Sequence, residues 1–326
     1  MSEKIMVSVM CTAFNHKEYI REALEGMVNQ QTDFDYEILI NDDVSTDGTA
    51  DIVREYAEKY PAKVRAFFPE NNLYSQNIDV YYHTFFPNAR GKYVAFCEGD
   101  DYWTDMTKLQ QQVDFLESHP EYSACVHNTE LFYCAGNHEN EPLIKREGER
   151  DVEFEDILPG MNNAWHTSSL MAKTELLKNP PDYYYVACDY GFGDYPYGIW
   201  LRQNGPVHFI DRCMSVYRLN SNEASWSSGV DYATDKLVRF ITGVVEMLKC
   251  FRHHVQDEKL LQLVDRYINE GMFQLLYTQG RDRELRKPPY RDILKNKPLE
   301  FRIKNLIKCA FPGLHKMYRK HRGYEE

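Results

Sequence analysis

Residues 92–103 read Lys-Tyr-Val-Ala-Phe-Cys-Glu-Gly-Asp-Asp-Tyr-Trp, and this stretch decides the fold. The apolar run 93–97 has the length and the residue types of a buried strand. It leads directly into Glu98, Asp100 and Asp101, whose carboxylates repel one another. Divalent cations such as Mg²⁺ and Mn²⁺ bind oxygen ligands of this kind. The stretch therefore indicates a strand that ends at a cation site, although a solvated acidic turn explains it equally well when it is taken alone.

Two earlier strands are expected to end in the same way. The apolar run 5–11 is followed by the polar loop 12–15, and the run 36–40 is followed by the polar segment 41–49. Amphipathic helices between these runs predict a parallel sheet with right-handed crossovers, whose polar strand ends meet at one edge. Gly99 is expected to let the backbone pass close to a ligand bound there.

Several local elements follow from spacing and capping chemistry. Asn15 is expected to cap the first helix, with Glu18 as its capping-box partner. Residues 105–118 are predicted to form a helix with Met106 on its inner face, and residues 71–90 to contain an aromatic-rich helix. Strand character is expected to resume across 165–171.

Composition limits the classes of protein that fit. The chain has 326 residues, 43% of them hydrophobic, and a net charge of −12, which argues against a general nucleic-acid binder. Its 8 cysteines include no CxxC pair, so a reduced, cytoplasmic protein is expected. No targeting signal is visible, and no run approaches the roughly 18 apolar residues that span a bilayer.

Three ordered motifs resemble the family 2 glycosyltransferases. They are Val-Ser-Val-Met-Cys-Thr-Ala-Phe-Asn at 7–15, Ile-Asn-Asp-Asp-Val-Ser-Thr-Asp-Gly-Thr at 40–49, and Phe-Cys-Glu-Gly-Asp-Asp-Tyr-Trp at 96–103. The resemblance covers about residues 5–220. It implies the GT-A fold, an α/β structure with a Rossmann-like, mostly parallel sheet flanked by helices. It also implies a nucleotide-sugar donor, and Mn²⁺ or Mg²⁺ as cofactor. The residues implied to bind the donor are Thr12, Phe14, Asn15, Asp43, Asp100 and Arg218, with Asp101 as the metal ligand.

Within that set the individual roles have alternatives. Asp43 is implied to accept the N3 proton of uracil, and it could instead cap the following helix, as Asp42 and Asp47 could. Arg218 is implied to face the diphosphate, and its alternative is an ion pair. Relatives often carry a histidine that reaches the metal at the position of Asn220, so a third metal ligand is not evident.

The tyrosine-rich segment 181–200 resembles the part of the family that carries the catalytic base. Asp194 matches the base, at the start of a helix whose dipole favours an ionised carboxylate. Asp189 is the rival candidate. His166 and Trp226 are further candidates on the acceptor side, and His166 could equally be a buried histidine without a ligand. The segment 221–229 could order over bound donor.

The chain is expected to divide into a catalytic domain at 1–230, a helical extension at 231–290 and a basic amphipathic tail at 291–326. The donor half of the catalytic domain covers about 1–103, and the acceptor half about 104–230. The tail carries ten basic and four acidic side chains, a net +6 against −18 for the rest. Such a tail favours contact with an anionic membrane surface, or docking on the acidic catalytic domain.

The expected function is transfer of a sugar from a nucleotide-sugar, taken to be UDP-linked, to a hydroxyl of a glycan or lipid-linked acceptor. The reaction is expected to be metal-dependent and, by resemblance, inverting, within cell-surface polysaccharide synthesis. The expected place is the cytoplasm, peripherally at the inner face of the plasma membrane. A nucleotidyltransferase would usually carry a Gly-rich basic loop after the first strand, and 12–17 is not one. A non-catalytic module that binds nucleotide-sugars is the other alternative.

Overall fold

The computed structural model describes residues 5–134, 139–219 and 235–310, and the chain forms two compact units, Met1–Val230 and Asp231–Glu326. The strands are β1 (Val7–Ala13), β2 (Tyr36–Asp42), β3 (Val64–Phe67), β4 (Tyr93–Phe96), β5 (Tyr102–Trp103), β6 (Ala124–Tyr133), β7 (Glu141–Pro142), β8 (Arg150–Asp151), β9 (Met171–Lys173) and β10 (Val207–Leu219). The helices of the first unit are α1 (Ile20–Val28), α2 (Thr49–Lys59), α3 (Phe86–Asn88), α4 (Lys108–Ser118), α5 (Phe154–Ile157), α6 (Thr174–Leu177), α7 (Asp182–Asp189) and α8 (Asp194–Gln203). The second unit contains α9 (Asp235–Arg252), α10 (Glu258–Thr278), α11 (Tyr290–Asn296) and α12 (Leu299–Ala310).

The sheet runs in the order β3-β2-β1-β4-β9-β6-β10-β5. Strands β3, β2, β1 and β4 are mutually parallel, as the strand–helix alternation predicts. Strand β9 lies antiparallel between β4 and β6, and β10 is parallel to β6. The sheet is therefore mixed, with its four-stranded parallel part on the donor side of the predicted site.

The core explains why the amphipathic pattern forms these elements. Strands β1 and β2 are buried on both faces, which accounts for their nearly continuous apolar sequences. The apolar stripe of α1 packs on them through Ile20, Ala23, Leu24, Met27 and Val28. Burial of this stripe supplies most of the stability of a helix of only nine residues.

The predicted cap of the first helix is wrong. Helix α1 begins at Ile20, and Asn15 has a left-handed backbone with φ of 55°. The Asn15 side-chain oxygen accepts the backbone N–H of Thr46 at 2.9 Å, while the Asn15 N–H donates to the Ser45 hydroxyl at 2.8 Å. Asn15 thus joins the loops that follow β1 and β2.

Two further local predictions need correction. Met106 is 47% exposed because α4 begins only at Lys108, and the Met106 carbonyl accepts the N–H of Gln31. Residues 165–171 do not form a continuous strand, since a 3₁₀ turn at Thr167–Ser169 precedes β9. In that turn His166 accepts the Ser168 N–H through its ring, a local bond that competes with strand pairing.

The segment 71–90, predicted to hold a helix, contains three short helical pieces. They are a 3₁₀ turn at Tyr74–Gln76, a π turn at Tyr81–Phe85 and α3. Tyr81 packs against Tyr197 of α8, and Tyr82 packs against Tyr184 of α7.

The described residues of the second unit, 235–310, form helices joined by turns and short loops. Helix α9 packs along α10, whose first turn is capped by Asp257, and a small core forms around Phe273, Leu276, Leu285 and Leu294. None of the helices in 5–134, 139–219 and 235–310 is long and apolar enough to span a bilayer.

Candidate active site

The polar ends of β1, β2 and β4 meet at one edge of the sheet, as the sequence predicts. Thr12 pairs with Asn41, and Ala13 with Asp42, in the parallel register of β1 and β2. The Gly99 N–H donates to the Thr12 carbonyl at 2.8 Å, which ties the acidic turn to the loop after β1. The N–H of Asp43 donates to the Ala13 carbonyl at the same distance.

Thr12, Phe14 and Asp43, which are predicted to hold the nucleotide base, lie at this edge of the sheet. Thr12 is half-buried, and the Phe14 ring is 37% exposed beside it. The Asp43 carboxylate does not cap α2, because it accepts the backbone N–H groups of Leu73 at 2.7 Å and Tyr74 at 3.1 Å. Each carboxylate oxygen keeps a lone pair, since one carboxylate offers about four acceptor positions.

Asp42 and Asp47 have local partners. Asp42 accepts the Ser45 N–H, and Asp47 accepts the N–H and the hydroxyl of Thr49 at the start of α2. These contacts fit the turn and cap alternatives for both residues.

The acidic turn brings three carboxyl groups together, with Asp101 buried and Glu98 and Asp100 half-buried. Desolvation, followed by the charges of Asp100 and Asp194, raises the pKa of Glu98 to about 8. Desolvation, followed by the charges of Asp100 and Glu98, also raises the pKa of Asp101. Opposite charge beside these groups would reverse both shifts, and a bound cation is the usual source of such charge.

Asp101 is held in a defined orientation. Its side chain is fully buried, and Oδ1 accepts the Arg218 N–H at 3.0 Å. Among the described residues, Oδ2 has no hydrogen-bond partner, and it lies 3.7 Å from Nδ1 of His166. Ligand atoms of Glu98, Asp101 and His166 all lie within 4.8 Å of one another. Two carboxylates and an imidazole around an unpaired buried oxygen fit a divalent cation.

His166 therefore lies beside Asp101, the predicted metal ligand. The imidazole is 5% exposed and stacks on Tyr217 with ring centroids 4.0 Å apart. Burial lowers the pKa of His166 to about 4, against the opposing charge of Asp100. The ring is consequently neutral at pH 7, which is the form that binds metals.

Arg218 lies beside the acidic turn and has partners within the protein. Its guanidinium is buried, pairs with Glu22, and donates to the Asp100 carbonyl at 2.6 Å. The same group lies over the Tyr102 ring at 4.3 Å from the centroid. These contacts form an ion pair in which the guanidinium is buried, and they direct it at α1 and at the backbone of the acidic turn.

Gly99 is required for packing inside the protein. A Cβ atom at this position would lie 2.8 Å from Cδ1 of Ile20, 2.9 Å from Nδ1 of His16 and 3.0 Å from the Thr12 carbonyl. The close approach that the sequence suggests is thus to the loop after β1.

His16 is a site residue that the sequence reasoning missed. Its Nε2 lies 3.8 Å from the Asp100 carboxylate, and burial lowers its pKa despite that neighbour. Its position directly after Asn15, in a loop already assigned to the site, could have identified it. Glu98 was recognised as an acid but not as a partner of His166.

Asp194 begins α8, as expected, and its charge reaches the acidic turn. The Asp194 carboxylate contributes to the raised pKa values of both Glu98 and Tyr81. It is open to solvent on one side, yet desolvation by the surrounding protein raises its own pKa. The backbone N–H of Tyr195 donates to the carboxylate and opposes this rise in pKa. Asp189 lies on the exposed last turn of α7 and is not among the charges that act on Glu98.

The tyrosines of segment 181–200 form an aromatic cluster that packs between α7, α8 and β4. Tyr184 donates to Asp79 at 2.5 Å, and its ring packs on Tyr197 and Tyr82. Tyr197 in turn packs on Phe96 of β4. This cluster fixes α8 against the strand that leads to the acidic turn.

Three predicted features lie outside the described residues. They are Trp226, Asn220 with the segment 221–229, and the last part of the tail at 311–326.

Known proteins resemble this chain in sequence. Residues 8–168 match the model of the family described as "Glycosyl transferase family 2". An uncharacterized protein of Mycobacterium bovis is 34% identical over 218 residues, covering 66% of this chain, and the match spans 59% of that relative's length. An Escherichia coli protein, named UDP-Glc:alpha-D-GlcNAc-diphosphoundecaprenol beta-1,3-glucosyltransferase, is 34% identical over 113 residues, which cover 35% of this chain and 42% of the relative.

Solved structures resemble the fold at low sequence identity. S. aureus TarS 1-349 in complex with UDP-GlcNAc has a TM-score of 0.59 at 18% identity, covering 93% of this chain and 80% of that one. The mannosyltransferase PcManGT from Pyrobaculum calidifontis, in complex with GDP-Man and Mn²⁺, has a TM-score of 0.57 at 16% identity, covering 99% and 84%. The structural likenesses show that the chain has the GT-A fold. The sequence matches show that it belongs to the family 2 glycosyltransferases.

Proposed function

We propose that this chain transfers a sugar from a UDP-linked donor to a hydroxyl of a glycan or lipid-linked acceptor, in cell-surface polysaccharide synthesis. The observation that carries the proposal is the acidic turn after β4, which is tied to the loop after β1 and places Oδ2 of Asp101, unpaired among the described residues, 3.7 Å from His166. The charge of Asp194 at the start of α8 acts on Glu98 of the same turn. The E. coli relative, named for UDP-Glc and a diphosphoundecaprenol-linked sugar, supports the donor and acceptor classes.

The roles of the residues follow from their positions. Asp43 and Phe14 would hold the base of the donor, the first by accepting its imide proton and the second by contact with its ring. Asp100 would lie near the ribose, and Asp101 would hold Mn²⁺ or Mg²⁺. When bound there, the cation offsets the negative charge that develops on the leaving diphosphate.

Asp194 is proposed to accept the proton of the attacking acceptor hydroxyl. Its raised pKa suits this role, since a general base works best with a pKa close to the operating pH. A single displacement at the anomeric carbon, with one base opposite the leaving group, inverts the configuration. Inversion is thus part of the proposal.

The test is release of nucleoside diphosphate from a panel of UDP-Glc, UDP-Gal, UDP-GlcNAc and GDP-Man, with and without short lipid-linked acceptors. Asp194→Asn should lower turnover by about 10²-fold or more and leave the dissociation constant for UDP unchanged. Asp189→Asn is the matched control and should keep normal turnover. If Asp189→Asn alone is inactive, Asp189 is the base. If UDP binds but no donor is turned over by the wild-type protein, the chain is a binding module.

A second part of the proposal concerns the membrane. Helix α12 has one face docked in the second unit, where Phe301 packs on Tyr277 and the buried Asn305 amide donates to Asp282. Its opposite face carries exposed apolar side chains, Leu299, Ile303, Leu306 and Ile307, which are 67%, 47%, 52% and 50% exposed. Basic side chains border this face, Arg286, Arg291, Lys295 and Arg302.

We propose that this face of α12 contacts an anionic leaflet, so that the protein is peripheral at the inner face of the plasma membrane. Apolar side chains between basic ones match acyl chains bordered by anionic headgroups. Each basic residue near the surface contributes about 1 kcal/mol, or about fivefold in binding, and salt screens this part.

Co-sedimentation of the full chain with vesicles tests this contact. The double variant Ile303→Glu, Leu306→Glu should lose binding to anionic vesicles, and wild-type binding should weaken in high salt. The control Gln262→Glu, Gln274→Glu adds the same charge at exposed positions of α10 and should bind normally. Equal binding by all three proteins, or a concentration-dependent dimer that the first variant abolishes, would contradict a membrane role.

A further inference from the structure

Asp101 has one carboxylate oxygen that the protein leaves unpaired. The side chain is fully buried, and Oδ1 is already bonded to the backbone of β10 through Arg218. Oδ2 has no hydrogen-bond partner among the described residues and faces His166 at 3.7 Å. An unpaired buried carboxylate oxygen is costly, so it indicates a ligand that is bound there.

The His166 ring is fixed in place by a chain of polar contacts. Its Nδ1 lies 2.9 Å from the Ser168 hydroxyl oxygen and 3.3 Å from the Ser168 backbone nitrogen, so Ser168 holds this nitrogen in place. The Ser168 hydroxyl donates to Ser215, and the Ser168 carbonyl accepts the indole N–H of Trp103. The ring is therefore held with Nδ1 3.7 Å from Oδ2 of Asp101, and a cation between the two would bind the Nδ1 lone pair in place of the contacts with Ser168.

Glu98 completes the group from the other side. Ligand atoms of Glu98, Asp101 and His166 lie within 4.8 Å of one another, so small side-chain movements bring all three within bonding distance of one ion. The imidazole of His166 comes from the segment that precedes β9.

We infer that His166 and Glu98 complete the cation site of Asp101, and that His166 makes the site selective for Mn²⁺ over Mg²⁺. Imidazole suits transition metals, whereas Mg²⁺ prefers oxygen ligands and retains its water. The inference shares the metal site with the proposed function, but cation binding can be measured without any donor.

The experiment is titration of the full chain with Mn²⁺ and with Mg²⁺ in the absence of nucleotide. Free Mn²⁺ is followed by electron paramagnetic resonance, and bound Mn²⁺ is examined by pulsed measurements for coupling to ¹⁴N. Mg²⁺ binding is read from competition with Mn²⁺. The variants are His166→Gln and Glu98→Gln, with His83→Gln as the control, since His83 is exposed and belongs to no metal cluster found among the described residues.

The expected pattern separates the two new ligands. Both His166→Gln and Glu98→Gln should weaken Mn²⁺ binding at least about tenfold, in line with lost metal contacts. His166→Gln should abolish the ¹⁴N coupling and leave Mg²⁺ affinity nearly unchanged, while Glu98→Gln should keep the coupling. His83→Gln should behave like the wild-type protein.

Two results would overturn the inference. One is bound Mn²⁺ in the wild-type protein without ¹⁴N coupling, which needs no variant and so does not depend on any variant folding. The other is a folded His166→Gln protein with unchanged Mn²⁺ affinity and coupling. Either would leave sugar transfer untouched, whereas failure of the donor panel with intact Mn²⁺ coupling would count against the proposed function alone.

Discussion

Oδ2 of Asp101 lies 3.7 Å from Nδ1 of His166, and the backbone N–H of Arg218 holds the other oxygen of the same carboxylate at 3.0 Å. The acidic turn after β4 is thus oriented by β10 and faces the segment before β9. Strand β9 brings His166 here because it is inserted antiparallel between β4 and β6. The site depends on this insertion as much as on the acids themselves.

Arg218→Lys should destabilise the acidic turn. Lysine cannot reproduce the planar contacts with Glu22 and the Asp100 carbonyl, so we expect a loss of about 1–3 kcal/mol in unfolding free energy and weaker Mn²⁺ binding. Chemical denaturation and Mn²⁺ titration measure the two effects. If stability and Mn²⁺ affinity are unchanged but UDP binds less tightly, the guanidinium contacts the diphosphate, as the sequence resemblance implies.

Gly99→Ala should damage both stability and metal binding. The added methyl group would meet Ile20, His16 and the Thr12 carbonyl at 3.0 Å or less, and overpacking of this kind costs about 1–3 kcal/mol. Because the turn must move, Mn²⁺ affinity should fall as well. Gly148→Ala is the control: its φ of 94° brings backbone strain, but no atom lies within 4 Å, so metal binding should stay normal. Normal Mn²⁺ binding by Gly99→Ala would show that the metal site does not depend on this packing.

Lys108→Met should change the pH dependence of stability. Lys108 is fully buried, its ammonium donates to Gln112 at 2.7 Å, and burial lowers its pKa to about 7. The folded state therefore binds fewer protons than the unfolded state between pH 7 and about 10.4, and stability attributable to this group rises with pH across that window.

Relative to the wild-type protein, Lys108→Met should therefore have its largest gain in unfolding free energy below pH 7. This gain should decline by a few kcal/mol towards pH 10, and denaturation at several pH values measures it. Lys259→Met, at an exposed position of α10, should show no such trend. A difference that is constant from pH 6 to pH 10 would mean that Lys108 titrates normally.

The sequence predicts the parallel strands β1, β2 and β4 well, because their signals are local. Apolar runs of strand length, each followed by a polar loop, correctly indicate parallel strands whose ends meet, and the contact of Gly99 with Thr12 follows from that arrangement. The amphipathic stripe of α1 is likewise evident from its period.

The other half of the site depends on long-range contacts that no local pattern encodes. Strand β9 has three residues, too few for a periodic signal, yet its insertion brings His166 to Asp101. The partner of Arg218 is Glu22 on α1. The sequence alone does not show which carboxylate pairs with this arginine. Asn15 looks like a helix cap because the residue type suits both a cap and a left-handed turn.

The central claim is that Asp101 anchors a cation needed for binding a nucleoside diphosphate. The most direct measurement is calorimetric binding of UDP to wild-type and Asp101→Asn protein, with and without Mn²⁺, after both are shown to be folded by circular dichroism. The wild-type protein should bind UDP at least about tenfold more tightly with Mn²⁺, a difference of about 1.4 kcal/mol, and Asp101→Asn should show no Mn²⁺ effect. Equal enhancement by Mn²⁺ in both proteins would contradict the account.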